Sequence, residues 1–345
     1  MRVLVADDDP SSLITLEAFL VSLGYEVATA QNGREAFEMI QAGDYRIVIS
    51  DWEMPEMNGV ELCRRTRERQ LGSYVYFIML TGRQDESDLV HGLEAGADDF
   101  IRKPFNPEEM RVRLRAADRI CALESRDIFI FSLAKLAESR DNDTGAHLER
   151  IREYSRLLAE EMASLEKYRN VLNADYIRTI YATSPLHDIG KVGIPDCVLL
   201  KPGKLTHDEF EVMKQHTLIG FETLEAAVKN NPSAKFYRFA QDIVIAHHER
   251  WDGTGYPHGL AGEDIPLCGR IVSVADVYDA LTTKRVYKEA FDHKTAREII
   301  VGDRGTAFDP DVVDAFLNRE DDFEAIRTQL ALAKAETMTP ELATV

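Results

Sequence analysis

The first 118 residues alternate short apolar runs with amphipathic segments, and this alternation restricts the possible folds more than any other feature of the chain. Five runs have the length and composition of β-strands, namely Arg2–Ala6, Glu26–Ala30, Arg46–Ser50, Tyr74–Leu80 and Asp98–Arg102. The segments between them carry apolar residues at helical spacing, namely Ser11–Leu23, Gly33–Gln41, Asn58–Arg69 and Glu86–Ala95. Strand–helix alternation of this kind predicts a doubly wound α/β fold with a five-stranded parallel sheet.

The remainder of the chain shows helical periodicity alone, which predicts an all-α domain after Asp127. No Pro or Gly interrupts the chain between Glu108 and Glu138, so a continuous helix is expected to join the two domains. Such a helix can pair with a copy of itself in a homodimer or pack on its own second domain, and both remain open. The predicted organisation is an α/β domain at 1–118, a connecting helix at 119–137, an all-α domain at 138–318 and a C-terminal tail at 319–345.

Composition excludes several classes of protein. The 345 residues include 41 Lys and Arg against 60 Asp and Glu, a net charge of −19, so direct DNA binding through a basic surface is not expected. The four cysteines are far apart and form no CxxC pair, which favours reduced thiols in a cytoplasm. No apolar run approaches the roughly 18–20 residues of a membrane span, so a soluble cytoplasmic protein without a membrane partner is expected.

Polar side chains follow the predicted strands where each strand ends. Asp7, Asp8 and Asp9 follow the first strand, Asp51 the third, Thr81 the fourth and Lys103 the fifth. In a doubly wound sheet these strand ends lie at one edge. Carboxylates packed closely favour a divalent cation, and oxygen ligands suit Mg²⁺. A carboxylate beside Mg²⁺, with a lysine and a hydroxyl nearby, is equipped to accept a phosphoryl group.

This part of the chain resembles the receiver (CheY-like) domain of two-component response regulators over roughly residues 1–118. The resemblance is carried by Val3–Asp9, Ile49–Pro55 and Phe100–Phe105. It implies that Asp51 is the phosphoacceptor and that a sensor histidine kinase is the partner. It also implies the other roles by position: Mg²⁺ held by Asp7, Asp8, Asp51 and the carbonyl of Glu53, a phosphoryl group contacted by Thr81 and Lys103, and a rotating aromatic switch at Phe100.

Five of the nine histidines fall in a pattern with aspartates in the second domain. The pattern comprises Asp143 and His147 at i and i+4, the pair His187-Asp188, His216, the pair His247-His248, and Asp276. Mixed imidazole and carboxylate ligands favour Fe or Mn over Ca or structural Zn. Adjacent ligands such as His187-Asp188 suggest a carboxylate that bridges two metals roughly 3.5–4 Å apart. Both pairs follow apolar residues, and burying so much polarity without a metal would be costly.

The second domain resembles the HD-GYP domain, a subgroup of the HD phosphohydrolases, over roughly residues 128–318. The matching stretches are His187–Lys191, His247–Pro257 and Asp276–Thr282 through Arg285. The family hydrolyses cyclic di-GMP to linear pGpG and often to GMP. The resemblance implies a di-metal core of His187, Asp188, His216, His247, His248 and Asp276. It further implies catalytic roles for Lys191 and Asp188, phosphate contacts from Lys191, Arg285 and Lys288, and substrate contacts from Gly255, Tyr256 and Pro257.

The expected number of metal ions depends on one position. Some members of the family bind a third ion at the positions of Asp143 and His147, but they have Glu where this chain has Asp143. Because Asp is one methylene shorter, two ions are expected and a third stays open. The function expected is a response regulator that degrades cyclic di-GMP as a homodimer. The alternatives are a signalling adaptor that binds cyclic di-GMP without hydrolysing it, and an HD-type phosphohydrolase of another nucleotide.

Overall fold

The structure is a computed structural model that describes residues 1–69, 74–82, 91–140, 146–230, 235–283 and 290–337. It divides into two compact units, Met1–Ile128 and Phe129–Val345. Every helix in the described residues is too short or too polar to span a membrane.

The first unit contains the predicted five-stranded parallel sheet. Its strands are β1 (Arg2–Ala6), β2 (Glu26–Ala30), β3 (Ile47–Asp51), β4 (Tyr76–Thr81) and β5 (Asp99–Arg102), in the order β2-β1-β3-β4-β5. The helices are α1 (Pro10–Ser22), α2 (Gly33–Ala42) and α3 (Gly59–Glu68), and residues 91–94 are also helical. The strand order reverses between β1 and β3, so the carboxyl ends of these two strands are neighbours at the switch point where such folds place their sites.

Side-chain N-caps determine where the helices of the first unit begin. The Asp9 side chain accepts hydrogen bonds from the backbone N–H groups of Ser11 and Ser12 and so begins α1 directly after the acidic run. Asn32 and Asn58 cap α2 and α3 in the same way. The aspartates are therefore held between a buried strand and a capped helix, which fixes their positions.

The next helix, α4 (Pro107–Glu138), runs without interruption, as the absence of internal Pro and Gly predicts. Its N-terminal part packs on the first unit. Asp118 accepts a hydrogen bond of 2.7 Å from the Tyr25 hydroxyl, and Glu124 forms an ion pair with Arg46. Cys121 is buried in the same core. These contacts explain why the first unit extends to Ile128, beyond the boundary predicted at residue 118.

The second unit is helical, as predicted. Its helices are α5 (Ala146–Met162), α6 (Ala174–Thr183), α7 (Asp196–Leu199), α8 (His207–Asn230), α9 (Lys235–Ala246), α10 (Leu267–Thr282), α11 (His293–Gly302), α12 (Pro310–Asn318) and α13 (Glu320–Thr337). The core includes stacked rings of Tyr154 and Phe323, 4.4 Å between centroids. Because Phe323 is fully buried, the packed domain continues beyond residue 318, after which a tail was predicted. The end of the predicted tail, 338–345, lies outside the described residues.

Candidate phosphorylation site and metal centre

Three aspartates of the first unit converge at the carboxyl ends of β1 and β3. One carboxylate oxygen from each of Asp7, Asp8 and Asp51 lies within 4.8 Å of the others. The Lys103 ammonium lies 2.7 Å from an oxygen of Asp7 and 2.7 Å from an oxygen of Asp51. Burial raises the pKa of Asp51, and the hydrogen bond and charge of Lys103 offset only part of this rise. Such a crowded acidic group fits a hard divalent cation such as Mg²⁺.

The other residues predicted around Asp51 lie along the same sheet. Thr81 ends β4 and is buried, whereas Glu53 is exposed two residues after Asp51. Phe100 in β5 is half-buried, with its ring 6.4 Å from that of Trp52. A Cβ atom on Gly92 would lie 2.7 Å from the Phe100 ring, so the ring occupies space that only glycine leaves open. The switching role of Phe100 stays a prediction.

Seven predicted ligands in the second unit form two adjoining groups. In each group the possible ligand atoms lie within 4.8 Å of one another. The first group contains His147, His187 and Asp276, and the second contains Asp188, His216, His247 and His248. These residues come from α5, the turns after α6, α8, the end of α9, and α10. Residues up to 129 positions apart in sequence are thus brought to one place.

Glycines allow the close approach of the elements that carry these ligands. A Cβ atom on Gly190 would lie 1.9 Å from the carbonyl oxygen of His216, so the turn that follows His187-Asp188 can rest directly on α8 only with glycine there. A Cβ atom on Gly269 would lie 2.6 Å from that of Ala246, which immediately precedes His247. Gly190 and Gly269 therefore allow the short distances between predicted ligands on different elements.

Hydrogen bonds to the main chain fix the tautomer of three histidines. Nδ1 lies 2.9 Å from the Ser184 carbonyl in His187, 2.7 Å from the Met213 carbonyl in His216, and 3.0 Å from the Val244 carbonyl in His247. Since a carbonyl only accepts, Nδ1 carries the proton and Nε2 presents a lone pair.

The Nε2 atoms of these three histidines have no hydrogen-bond partner within the described residues. Within the described residues, Nε2 of His187, His216 and His247 and one oxygen of Asp188 are buried without a hydrogen bond. Four buried polar atoms left unsatisfied in one place would destabilise the fold by several kcal/mol, roughly 1–3 kcal/mol each. Cations bound at the two groups would satisfy all four atoms, so the residues present fit a metal centre.

The carboxylate of Asp188 faces both groups of ligands. Its Oδ2 lies 3.4 Å from Nε2 of His187, and its Oδ1 lies 3.2 Å from Nε2 of His216 and 3.7 Å from Nε2 of His247. Lys191 places its ammonium 2.8 Å from Oδ2. Burial acts to raise the pKa of Asp188, but the charges of Lys191 and His187 hold it well below its ordinary value. An ionised carboxylate with one oxygen toward each group is suited to bridge two cations.

The pKa of His187 indicates an excess of negative charge around its ring. Burial acts to lower its pKa, yet the carboxylates of Asp188, Asp276 and Glu138 raise it to about 9. The imidazole would therefore take up a proton to compensate for these carboxylates. Divalent cations would supply the same compensation, which agrees with the unsatisfied lone pairs.

Comparison with known families agrees with both sites. Residues 3–115 match the response regulator receiver domain, and residues 132–312, more than half of the chain, match the HD domain. The chain is a response regulator of the HD domain family. The receiver and HD domain assignments made from the motifs are thus confirmed.

Relatives of this response regulator are similar over most of its length. A protein of Vibrio cholerae serotype O1 described as a probable cyclic di-GMP phosphodiesterase is 40% identical, with 95% of this chain and 80% of the relative covered. The cyclic di-GMP phosphodiesterase response regulator RpfG of Xanthomonas campestris is 37% identical, with 97% and 92% covered. A 3′3′-cGAMP-specific phosphodiesterase of Vibrio cholerae is 36% identical over 78% of this chain but 49% of its own length.

The HD domain contains a buried network that sequence reasoning missed. Asp279 is 1% exposed and accepts hydrogen bonds from Nδ1 of His147 at 2.6 Å and from Arg150. Burial acts to raise the pKa of Asp279, but Arg150 and His147 lower it to about 2. The sequence carried two signals: Asp279 lies within the matching stretch Asp276–Thr282, and Asp279 and Arg150 lie one helical turn after the predicted ligands Asp276 and His147. Asp279 therefore orients His147, a predicted metal ligand, through the nitrogen that faces away from the predicted ligand group.

A cavity of about 410 Å³ adjoins the HD domain's ligands. Its lining includes His248, Tyr256, Phe210, Lys214 and Arg250. The Tyr256 ring lies 4.8 Å from that of His248, so the Gly-Tyr-Pro loop reaches the predicted ligands directly. This arrangement offers aromatic faces and cationic groups beside the ligands, as an anionic nucleotide would require.

Glu249 holds the loop that carries Tyr256. It is 3% exposed, and its two carboxylate oxygens accept hydrogen bonds from the backbone N–H groups of His258 at 2.8 Å and Leu260 at 3.0 Å. Glu249 lies within the matching stretch His247–Pro257, but no role was predicted for it. The structure shows it as the residue that closes this loop.

Three predicted site residues cannot be placed. Asp143, Arg285 and Lys288 lie outside the described residues. Their roles toward a third metal and the substrate stay predictions.

Proposed function

We propose that this response regulator is a metal-dependent phosphodiesterase that hydrolyses cyclic di-GMP to pGpG or GMP, under the control of phosphorylation at Asp51. One observation carries the proposal: the two oxygens of Asp188 face separate groups of imidazole and carboxylate donors. A bridging carboxylate between two such groups is typical of hydrolytic two-metal sites. The named activities of the relatives over most of this chain support the same substrate.

The residues of the HD domain have separable tasks in this reaction. His147, His187, Asp188, His216, His247, His248 and Asp276 would hold two ions, and the mixed donor set favours Fe or Mn. When bound, the ions supply Lewis acidity to a phosphate oxygen and lower the pKa of a water molecule. Lys191 holds a proton 2.8 Å from Asp188, where it can donate to the leaving 3′-oxygen. Tyr256 and Phe210 provide aromatic faces for a base.

The test compares Asp188→Asn with the matched control Asp196→Asn. Asp196 lies in the same domain, but its side chain is 69% exposed and pairs with Arg140 at the surface. After loading with Mn²⁺ or Fe²⁺, wild type and control should release product from cyclic di-GMP, and Asp188→Asn should lose at least about 10³-fold in kcat because the shared ligand is gone. Chromatography of the nucleotides measures this. Product release by Asp188→Asn at the control rate would refute the mechanism.

A second cyclic dinucleotide is also a candidate substrate. The similarity to a 3′3′-cGAMP-specific enzyme favours a mixed cyclic dinucleotide as a second candidate. Measuring kcat/KM for cyclic di-GMP, 3′3′-cGAMP and linear pGpG on one metal-loaded preparation ranks the candidates. Tight binding of cyclic di-GMP without product would instead identify the adaptor function.

The receiver would connect this activity to a kinase. A sensor histidine kinase in the cytoplasm would phosphorylate Asp51, with Mg²⁺ held by Asp7, Asp8 and Asp51. The free, mostly buried cysteines agree with a reducing compartment.

A homodimer through the connecting helix is also proposed. Phe129, Leu133 and Leu136 lie at i, i+4 and i+7 on α4 and are 62%, 43% and 67% exposed. Three large apolar side chains on one exposed helix face are suited to cover a second copy of the same face. Light scattering should then give twice the chain mass of 39.0 kDa, and a single-chain mass at all concentrations would exclude the dimer.

A further inference from the structure

Arg140 lies two residues after the end of α4 and binds a backbone turn of the HD domain. Its guanidinium donates hydrogen bonds to the backbone carbonyls of Val192 and, at 3.2 Å, of Ile194. The same group pairs with Asp196 at 2.6 Å. These partners lie 52 to 56 positions further along the chain, and the sequence motifs assign Arg140 no role.

The two carbonyls lie at the end of a short helix that carries Lys191. This helix, Ile189–Gly193, directly follows the pair His187-Asp188, and we call it the Lys191 turn. The last carbonyls of a helix have no donor within the helix itself. A guanidinium supplies several donors in a fixed plane together with a positive charge, and both suit the C-terminal end of a helix. Arg140 therefore caps the Lys191 turn.

The Lys191 turn also packs on two long helices. A Cβ atom on Gly193 would lie 2.9 Å from the Ile219 side chain of α8, so the turn lies close against that helix. Ile189 belongs to an apolar cluster that includes Phe131 and Ala134 of α4. Apolar packing therefore covers the body of the turn, and the Arg140 guanidinium binds its C-terminal end.

Main-chain hydrogen bonds connect this end of the turn to Lys191. The Ile194 N–H donates to the Lys191 carbonyl at 3.1 Å, and the Lys191 N–H donates to the Asp188 carbonyl at 2.9 Å. The Lys191 ammonium lies 2.8 Å from Oδ2 of Asp188. Because a misplacement of about 1 Å can lower a rate about 100-fold, the position of the turn matters as much as the presence of the lysine.

We propose that Arg140 is a positioning residue for Lys191. By binding the end of the Lys191 turn, Arg140 fixes the ammonium beside Asp188. None of its hydrogen bonds within the described residues goes to a predicted metal ligand, so Arg140 acts through the turn. This inference rests on the proposed hydrolytic function and deepens it.

The test compares Arg140→Met with the control Arg178→Met. Arg178 lies on α6, where its side chain is 63% exposed and pairs with Asp175. On Mn²⁺-loaded protein, Arg140→Met should lower kcat for cyclic di-GMP at least about tenfold and change KM less, because Lys191 loses its position. The control should match wild type. Loss of kcat only in proportion to lost Mn²⁺ would show that Arg140 supports the ligands instead, and would refute the proposal.

A Lys191→Met background shows whether Arg140 acts through Lys191. Adding Arg140→Met to this background should lower kcat by less than about twofold further, because residues that act together are not additive. Two losses that multiply in full would refute the proposal. Asp196→Asn removes only the exposed ion pair and leaves both carbonyl contacts of Arg140, so it should keep the kcat of wild type.

A second variant protects the test against misfolding. Arg140→Lys keeps the charge but loses the planar fork that reaches two carbonyls. If Arg140→Met does not fold, a lower kcat of Arg140→Lys at full Mn²⁺ content supports the proposal, and an unchanged kcat refutes it.

Hydrogen exchange of the metal-free protein gives a readout that is independent of hydrolysis. The amides of Lys191 and Ile194 should exchange at least about tenfold faster in Arg140→Met than in wild type or the control, because the contacts that hold the turn are gone. Unchanged exchange would refute the proposal while hydrolysis by wild type stood. A wild type that hydrolyses no cyclic dinucleotide would remove the proposed function, while faster exchange in Arg140→Met would still support Arg140 as the residue that holds the turn.

Discussion

Replacing Asp279 by Asn should destabilise the HD domain more than any exposed Asp→Asn change. Asp279 is 1% exposed and holds two groups at once, His147 through Nδ1 at 2.6 Å and Arg150 through its guanidinium, with Nη2 at 2.9 Å. Arg150 is itself 6% exposed. The substitution preserves the shape of the side chain but removes the carboxylate charge that the buried Arg150 guanidinium faces.

The magnitude follows from the loss of the carboxylate charge beside Arg150. Removing one member of a buried pair costs about 3–5 kcal/mol, because the other member stays desolvated. A domain is typically stable by only about 5–15 kcal/mol, so much of the free energy of unfolding would be lost. Asn has one acceptor oxygen in place of two, so it cannot accept from Arg150 and also from the Nδ1–H that fixes the tautomer of His147, which should weaken one metal ion about 10–100-fold.

Tryptophan fluorescence can isolate the HD domain. The chain has two tryptophans, Trp52 in the receiver and Trp251 in the HD domain, so a Trp52→Phe background reports the second domain alone. Urea unfolding of the metal-free protein then gives the change in free energy. The control is Asp175→Asn, whose side chain is 82% exposed and pairs with Arg178; it should lose less than about 1 kcal/mol.

A double variant tests the cause. Replacing Arg150 by Met in the Asp279→Asn background removes the charge that has lost its carboxylate and should recover part of the lost stability. Asp279→Asn at the stability of the Asp175 control would refute the buried network. A double variant less stable than Asp279→Asn would show that the uncompensated charge is not the reason.

Two further variants address the receiver and the substrate loop. Asp51→Asn should abolish any change in hydrolysis on addition of acetyl phosphate while the HD domain keeps its metal content; a persisting response would mean that another residue is the phosphoacceptor. Glu249→Gln should leave one of the loop N–H groups of His258 and Leu260 unsatisfied, a loss of about 1–3 kcal/mol. KM should then rise more than kcat falls, and hydrogen exchange near Tyr256 should quicken; unchanged exchange would show that Glu249 does not hold the loop.

The parts of this protein that the sequence predicted are those whose signal lies close together along the chain. Apolar runs followed by Asp7 and Asp51 predicted the strands and their acidic edge, because parallel strands bring their carboxyl ends to one side. The pairs His187-Asp188 and His247-His248 predicted a metal centre, because polar pairs that directly follow apolar residues are costly to bury unless a cation compensates them.

In two places the structure packs residues that lie beyond a domain boundary predicted from the sequence. The receiver was expected to end at residue 118, but Cys121 and Glu124 still contact its sheet. The HD domain was expected to end at residue 318, but Phe323 packs against Tyr154. A helix continues with the same periodicity whether or not its side chains are covered, so periodicity does not mark the end of a domain.

The sequence by itself therefore determined the two fold classes, and it predicted the phosphoacceptor position and the ligand types of a metal centre. Only the tertiary structure decided how the ligands divide into two groups and which buried partners support them. Asp279 meets Arg150 across 129 residues, and Glu138 approaches His147 from the end of a different helix. Local pattern records which residue types a segment contains, whereas the partner of a buried charge is selected by the packing of segments distant in the chain.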